Sequence, residues 1–246
     1  MAETTAGRIG VRRAKTAKKK RGLVARLFMW LFGLVVVFPV LWVLLYRFVP
    51  PPVTSLMLIR VAEGRGWDYR WRGMNDISPT LAQAAIASED ARFCLHHGFD
   101  FTAMEKALAH NDKRPNRVRG GSTISQQTAK NVFLWPGRNN VRKGMEAYFT
   151  VLIEGLWGKK RIMEVYLNVV EMGSGYYGAE AASQRDFGHS ARKMSTSEAA
   201  RLVAILPNPL KYNAVDPGAY VQRRAGRVAG QVGVVRSDSD LSGCIR

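Results

Sequence analysis

Residues 27–46 read LFMWLFGLVVVFPVLWVLLY, 20 positions without one charged side chain. At 1.5 Å per residue such a helix rises about 30 Å, one hydrocarbon core of a bilayer. Gly33 and Pro39 are tolerated in a membrane helix. Trp30, Trp42 and Tyr46 suit the interfaces, though Trp42 lies rather deep. A cleaved signal peptide would carry an apolar core of roughly 7–15 residues before a small-x-small site. Here the run is longer and leaves through Arg47-Phe48-Val49-Pro50-Pro51-Pro52, so an uncleaved anchor is expected.

The flanks orient that anchor. Residues 1–26 hold nine basic residues and one acid, Glu3, so +8 of the net +18 lies in an arm without a core pattern. The positive-inside rule places this arm in the cytoplasm and everything after residue 50 across the membrane. A balance of +18 by itself points to a polyanionic partner. With so much of the charge serving as a topology signal, nucleic acid is demoted as a partner. Apolar residues make up 47% of the 246, enough for a sizeable core and too many for wholesale disorder. Cys94 and Cys244 cannot build a disulfide framework and lack the paired C-x-x-C spacing of a structural zinc site. Whether they pair or react stays open.

Beyond the anchor the pattern is helical. Residues 47–74 read as a periplasmic linker, stiffened by Pro50–Pro52, with Trp67, Tyr69 and Trp71 alternating as in a short strand or an interfacial segment. Ser78-Pro79 reads as N-cap and N1 of a helix. Further helices are expected over residues 101–110, 122–133, 140–156 and 159–169. Ser195-x-x-Glu198 is a capping box opening another, stopped by Pro207 and Pro209, and Pro217 begins a last one. Residues 75–236 form the main domain on this reading, and 237–246 a flexible tail.

Four constellations carry chemistry. Glu89 closes a small-residue helix, AQAAIASED, and leads into Arg92, Phe93, His96, Gly98 and Asp100. A carboxylate there can act as general acid or base. His96 and His97 are adjacent, so they diverge on a helix and are weak evidence of a metal pair. Gly120-Gly121-Ser122-Thr123-Ile124-Ser125-Gln126-Gln127 runs on to Lys130 and Asn131. Two glycines before a capped helix favour an anion, and Ser122, Gln126 and Lys130 fall on one face at i, i+4, i+8. Arg142 and Glu146 stand four apart, by themselves a surface helix pair worth about 0.3–0.5 kcal/mol. Finally, Arg161 to Ala182 combines a core-like Ile162, Val165, Tyr166, Val169 spacing with Tyr166-Leu167-Asn168 and a run of turn glycines.

Together and in this order, these motifs resemble the peptidoglycan glycosyltransferases, glycosyltransferase family 51. ED-x-x-F-x-x-H-x-G-x-D and GGSTISQQ-x-x-KN match nearly letter for letter. R-K-x-x-E, Y-L-N and Leu206-Pro207-Asn208-Pro209 come after them at suitable intervals. The resemblance covers about residues 75–215. No transpeptidase domain fits after residue 215, so the chain resembles the monofunctional biosynthetic kind of Gram-negative bacteria. The resemblance implies a mainly α fold: a lysozyme-like lobe with a small apolar jaw resting on the membrane, expected within residues 101–140 around Val132-Phe133-Leu134-Trp135. It implies lipid II and the nascent glycan strand as substrates. Glu89 would be the base that deprotonates the acceptor 4-hydroxyl. Lys130 and Arg138 would receive the pyrophosphate. Ser122, Gln126, Gln127, Asn131 and Arg142 would bind substrate. Glu146 would orient those bases or hold a divalent cation, magnesium or manganese; whether a cofactor is required stays open at this level. Inner-membrane lipids are implied partners, and cell-wall synthesis or division proteins are further candidates. Asp186 and His189 depart from the aromatic and basic residues of the family pattern, which bears on packing near Phe187.

Two rivals remain at this level. A lytic, lysozyme-like hydrolase would also present a catalytic Glu, but a sugar leaving group needs a proton rather than Lys130 and Arg138. A catalytically dead glycan-binding anchor has no use for an intact set of Glu89, Lys130 and Glu146.

Overall fold

The computed structural model describes residues 12–114, 120–137 and 139–246, and the chain divides into two compact units, residues 1–45 and 46–246. α1 (Arg12–Phe32) passes through one π turn, Gly33–Val37, into α2 (Phe38–Phe48), whose last three residues belong to the second unit. The wide turn lies just before Pro39. A proline ring clashes with the carbonyl four residues back, and a π turn makes room for it. From Gly22 to Phe48 the helix runs for 27 residues and is long and apolar enough to cross a membrane.

The second unit is mainly helical. In chain order it contains α3 (Ser55–Ala62), β1 (Asp68–Tyr69), α4 (Pro79–Glu89), α5 (Phe101–Lys113), α6 (Ile124–Phe133), α7 (Asn140–Leu156), α8 (Lys159–Val169), β2 (Glu171–Gly173), β3 (Tyr176–Tyr177), α9 (Gly178–Phe187), α10 (Thr196–Ile205), α11 (Ala219–Ser237) and α12 (Ser239–Ser242). α4 is the centre. Leu81, Ala82, Ala84, Ala85 and Ile86 are fully buried, and the alanines let α10 and α11 lie close against the helix. A second cluster forms where α6 packs on α7 and α8. The Phe133 ring stacks on Phe149 at 4.6 Å, with Trp157 tilted beside it at 6.1 Å. Val132, Phe133 and Leu134 are therefore core, not the membrane-facing surface expected of them, and only Trp135 of that run is exposed. An apolar run names its chemistry but not the face it takes.

The small sheet has the order β1-β3-β2, with β1 parallel and β2 antiparallel to β3. Its turns require glycine. A Cβ on Gly175 (φ +73°) would come within 1.9 Å of the Arg65 carbonyl oxygen, and one on Gly178 (φ +77°) within 2.2 Å of that of Asn168. Asn168 bridges the same region. Its Oδ1 accepts the Arg72 N–H at 2.8 Å, and its Nδ2 donates to the Arg72 and Glu164 carbonyls at 2.8 Å.

Two segments differ from the sequence reading. Residues 47–74, expected to form a linker, are built into the fold. Thr54 caps α3, Met57 is buried, Arg60 pairs with Glu171 at 2.8 Å, and the Tyr69 hydroxyl donates to the Pro51 carbonyl at 2.7 Å. The tail expected to be flexible is also fixed. Asp238 caps α12, Ile245 is buried, and Cys244 forms a disulfide with Cys94. That bond joins residues 150 positions apart. It ties the end of the chain to the turn after Glu89. A cross-link over so long a loop mainly restricts the unfolded chain, typically by about 2–4 kcal/mol. Reducing it, or substituting both cysteines by serine, is expected to lower the thermal midpoint by roughly 5–15 °C. An unchanged midpoint would contradict the pairing.

Candidate active site

Glu89 is the last residue of α4, where the chain turns away and leaves its carboxylate at a cleft of about 180 Å³. Arg92, Asp100, Lys106 and the segment Gly120–Thr123 line the same cleft. Arg224 from α11 donates Nη2 to Glu89 Oε1 at 2.7 Å and to the Ser88 hydroxyl at 2.7 Å. Gln127 from α6 donates its amide to Glu89 Oε2 at 3.3 Å. The Gln127 carbonyl oxygen is in turn met by the Tyr166 hydroxyl at 3.5 Å. Burial pushes the Tyr166 phenol well above its ordinary value, so it stays a donor and keeps the Gln127 amide turned toward Glu89.

Asp90, one residue on, borders the same cleft but is nearly buried and spends both carboxylate oxygens inside the fold. It accepts the Ile124 N–H at 2.9 Å, at the start of α6, and receives His96 Nε2 at 2.9 and 3.0 Å. Gly98 N–H donates to His96 Nδ1 at 3.1 Å, which assigns the ring proton to Nε2. Asp90 thus joins the end of α4 to the start of α6 and caps the positive end of that helix. His97 is exposed and takes no part in the clasp.

α6 begins at Ile124, not at Ser122, with a capping box between Thr123 and Gln126. Gln126 is thereby buried and structural rather than cleft-lining. The expected Ser122, Gln126, Lys130 stripe fails because Ser122 precedes the helix. Ser122 does line the Glu89 cleft. Lys130 and Asn131, further along α6, line a different cavity of about 330 Å³ with Leu56, Arg60, Trp135 and Glu171. Arg138 lies outside the described residues.

On α7 the Arg142–Glu146 pair is buried, not a surface pair. Arg142 Nη1 meets Glu146 Oε2 at 2.8 Å, and Lys143 Nζ meets Oε1. Asn139 caps the helix through the Arg142 N–H at 2.7 Å. With both oxygens held by cations, Glu146 does not fit a metal ligand. Among the described residues no cluster of three or more His, Cys, Asp or Glu side chains could hold a metal ion. The departures from the family pattern are absorbed locally. Asp186 accepts the Tyr176 hydroxyl at 3.4 Å, and His189 donates to the Ser190 carbonyl and to Glu198, both at 3.1 Å. The Ser190 carbonyl, then Glu198, raises His189 above the ordinary imidazole value. Arg201 stacks over Phe187 at 5.1 Å.

Arg224 is a partner of Glu89 that sequence reasoning does not find. It stands 135 positions from Glu89, in a helix whose pattern singles out none of its arginines.

A carboxylate held at a cleft mouth, with Arg92 and Lys106 lining the cleft and Arg224 paired to it, suits an enzyme that removes a proton beside an anionic group. Comparison with known proteins agrees. A family model described as transglycosylase matches residues 59–233. The biosynthetic peptidoglycan transglycosylase of Caulobacter vibrioides is 59% identical over 225 residues, covering 92% of this chain and 97% of that protein. The proteins of the same name from Rhodospirillum centenum and Xanthomonas axonopodis pv. citri are 52% and 53% identical, covering 81% and 78% of this chain and 86% and 80% of theirs. The chain belongs to the transglycosylase family.

The two adjacent carboxylates separate experimentally. Asp90→Asn weakens charge-assisted hydrogen bonds inside the fold and is expected to cost about 1.5–3 kcal/mol in urea unfolding. Glu89→Gln is expected to cost less, since the Glu89 side chain is 14% exposed at the cleft against 2% for Asp90. Equal losses would contradict the division of labour.

Proposed function

We propose that this chain is a peptidoglycan glycosyltransferase that polymerises lipid II into β-1,4-linked glycan strands for the cell wall, with Glu89 as its general base. The placement of Glu89 carries the reading. Its carboxylate sits at a cleft, fixed by Gln127 and Arg224, within a chain of the transglycosylase family. Glu89 takes the proton from the 4-hydroxyl of the acceptor GlcNAc as that oxygen attacks C1 of the donor MurNAc. Attack opposite an α-linked pyrophosphate inverts the centre and releases undecaprenyl pyrophosphate. Ser122 at the cleft rim binds sugar.

The leaving group carries concentrated negative charge, and fixed cations stabilise it more than water does. Lys130 and Arg138 are assigned to it, with Asn131 beside Lys130. Glu146 acts as a positioning residue: its two ion pairs hold Arg142 and Lys143 on α7. No step is routed through a divalent ion.

The domain works on the periplasmic side of the inner membrane, with the N-terminus in the cytoplasm. The basic arm before the apolar helix supports that orientation. The Cys94–Cys244 disulfide supports an oxidising compartment. The membrane-resting surface is assigned to exposed apolar side chains of α5 and α7, among them Phe101, Leu108 and Val141, in place of Val132–Leu134.

The test is polymerisation of purified lipid II. Glu89→Gln keeps the shape and removes the base, so turnover is expected to fall by roughly 10²–10⁴-fold. Near wild-type strand synthesis by that variant would remove Glu89 as the base.

A further inference from the structure

α11 is used by the reaction at one point only, where Arg224 reaches Glu89. The helix carries Arg223, Arg224, Arg227 and Arg236 and no acidic residue between Ala219 and Ser237. Tyr220, Arg223, Arg224 and Arg227 fall at i, i+3, i+4 and i+7, so they share one face. Val221, Ala225 and Val228 form the adjoining buried face. Arg224 sits at the border of the two, part-buried, while Tyr220, Arg223 and Arg227 are exposed. Tyr220 stands four residues, about 6 Å along the axis, from Arg224.

Tyr220 does not stand alone. The Tyr212 ring stacks on it at a centroid distance of 5.0 Å and an interplanar angle of 27°. The pair lines a cavity of about 290 Å³ with Lys211, Asn213 and Asp216. Asn213 Oδ1 accepts the Val215 and Asp216 N–H groups at 2.7 and 2.9 Å, which fixes the loop that carries Tyr212. Its amide nitrogen stays available as a donor. An ordered aromatic face edged by an amide, a carboxylate and an ammonium suits a pyranose ring. The axial C–H bonds of the sugar lie on the electron-rich ring face, and its hydroxyls meet the polar rim. The arginines beside it suit carboxylates, which the peptide stems of the glycan carry.

We propose that Tyr220, stacked on Tyr212, together with Arg223 and Arg227 forms a track that holds the peptide-bearing glycan strand beside Glu89 between additions. This rests on the reading of Glu89 as the base of strand synthesis. A strand held there stays in place while the leaving lipid and the next lipid II exchange. The track governs product length.

Two ligands test it, each titrated calorimetrically into the full chain in detergent micelles: a lipid-free peptidoglycan oligosaccharide of at least four sugars bearing its peptides, and the monomeric disaccharide-peptide. Tyr220→Ala is expected to weaken the oligosaccharide about tenfold, Tyr220→Trp to restore it, and the monomer to change less than about twofold. Arg223→Gln with Arg227→Gln is expected to weaken the peptide-bearing oligosaccharide but not one stripped of its peptides. Strands made from lipid II by Tyr220→Ala are expected to be several-fold shorter. Unchanged oligosaccharide affinity and strand length would overturn the track, and equal loss of both ligands would move the platform to the lipid II site and overturn it too. A wild-type protein that fails to polymerise lipid II, yet binds oligosaccharide through Tyr220, would uphold the track and overturn the assigned reaction alone.

Discussion

The Asp90 carboxylate is the constraint on which the site depends. It receives the Ile124 N–H and the His96 ring, and with these bonds it locks the end of α4 to the start of α6. Everything around Glu89 inherits its position from that lock. Glu89 is the neighbour of Asp90 in the chain, and Gln127 stands one turn into α6. A buried carboxylate is costly to leave unpaired, by several kcal/mol, so the clasp is strongly favoured once the core closes. The Thr123 hydroxyl, which donates to the Gly98 carbonyl at 2.7 Å, and the Cys94–Cys244 bond fasten the same turn from two further sides.

Around that lock, acids and bases are distributed by task. Asp90 and Glu146 are buried with their partners and hold helices in place. Glu89 is left at the cleft, with one arginine to fix it and space for a hydroxyl to approach. Further cations lie along α6 and α11, among them Lys130, Arg223 and Arg227. A basic surface of this kind fits a substrate that is anionic at its pyrophosphate and again along its peptides.

Much of this is legible in the chain. The anchor emerges from one charge-free run, α7 and α8 from their apolar spacing, and the Ser195–Glu198 box from its pattern. Glu89 stands out by its motif. Other features are hidden for physical reasons. Gln126 reads as cleft-lining in the sequence, although Thr123-x-x-Gln126 fits a capping box and is recognisable as one. Ser78 reads as a side-chain cap, yet its hydroxyl donates to the Met194 carbonyl at 3.0 Å. Arg224, the disulfide and the Arg60–Glu171 pair join residues more than a hundred positions apart, and no local periodicity encodes such partners. Residues 47–74 and the tail look loose because their burial comes from distant elements rather than from an apolar stripe of their own.

The central claim is that Glu89 drives an inverting transfer away from a pyrophosphate. Product analysis of wild-type turnover on lipid II tests it most directly. The account requires a β-1,4 bond at each new junction and one undecaprenyl pyrophosphate released per bond. Retention of the α configuration, or cleavage of preformed glycan without pyrophosphate release, would contradict it.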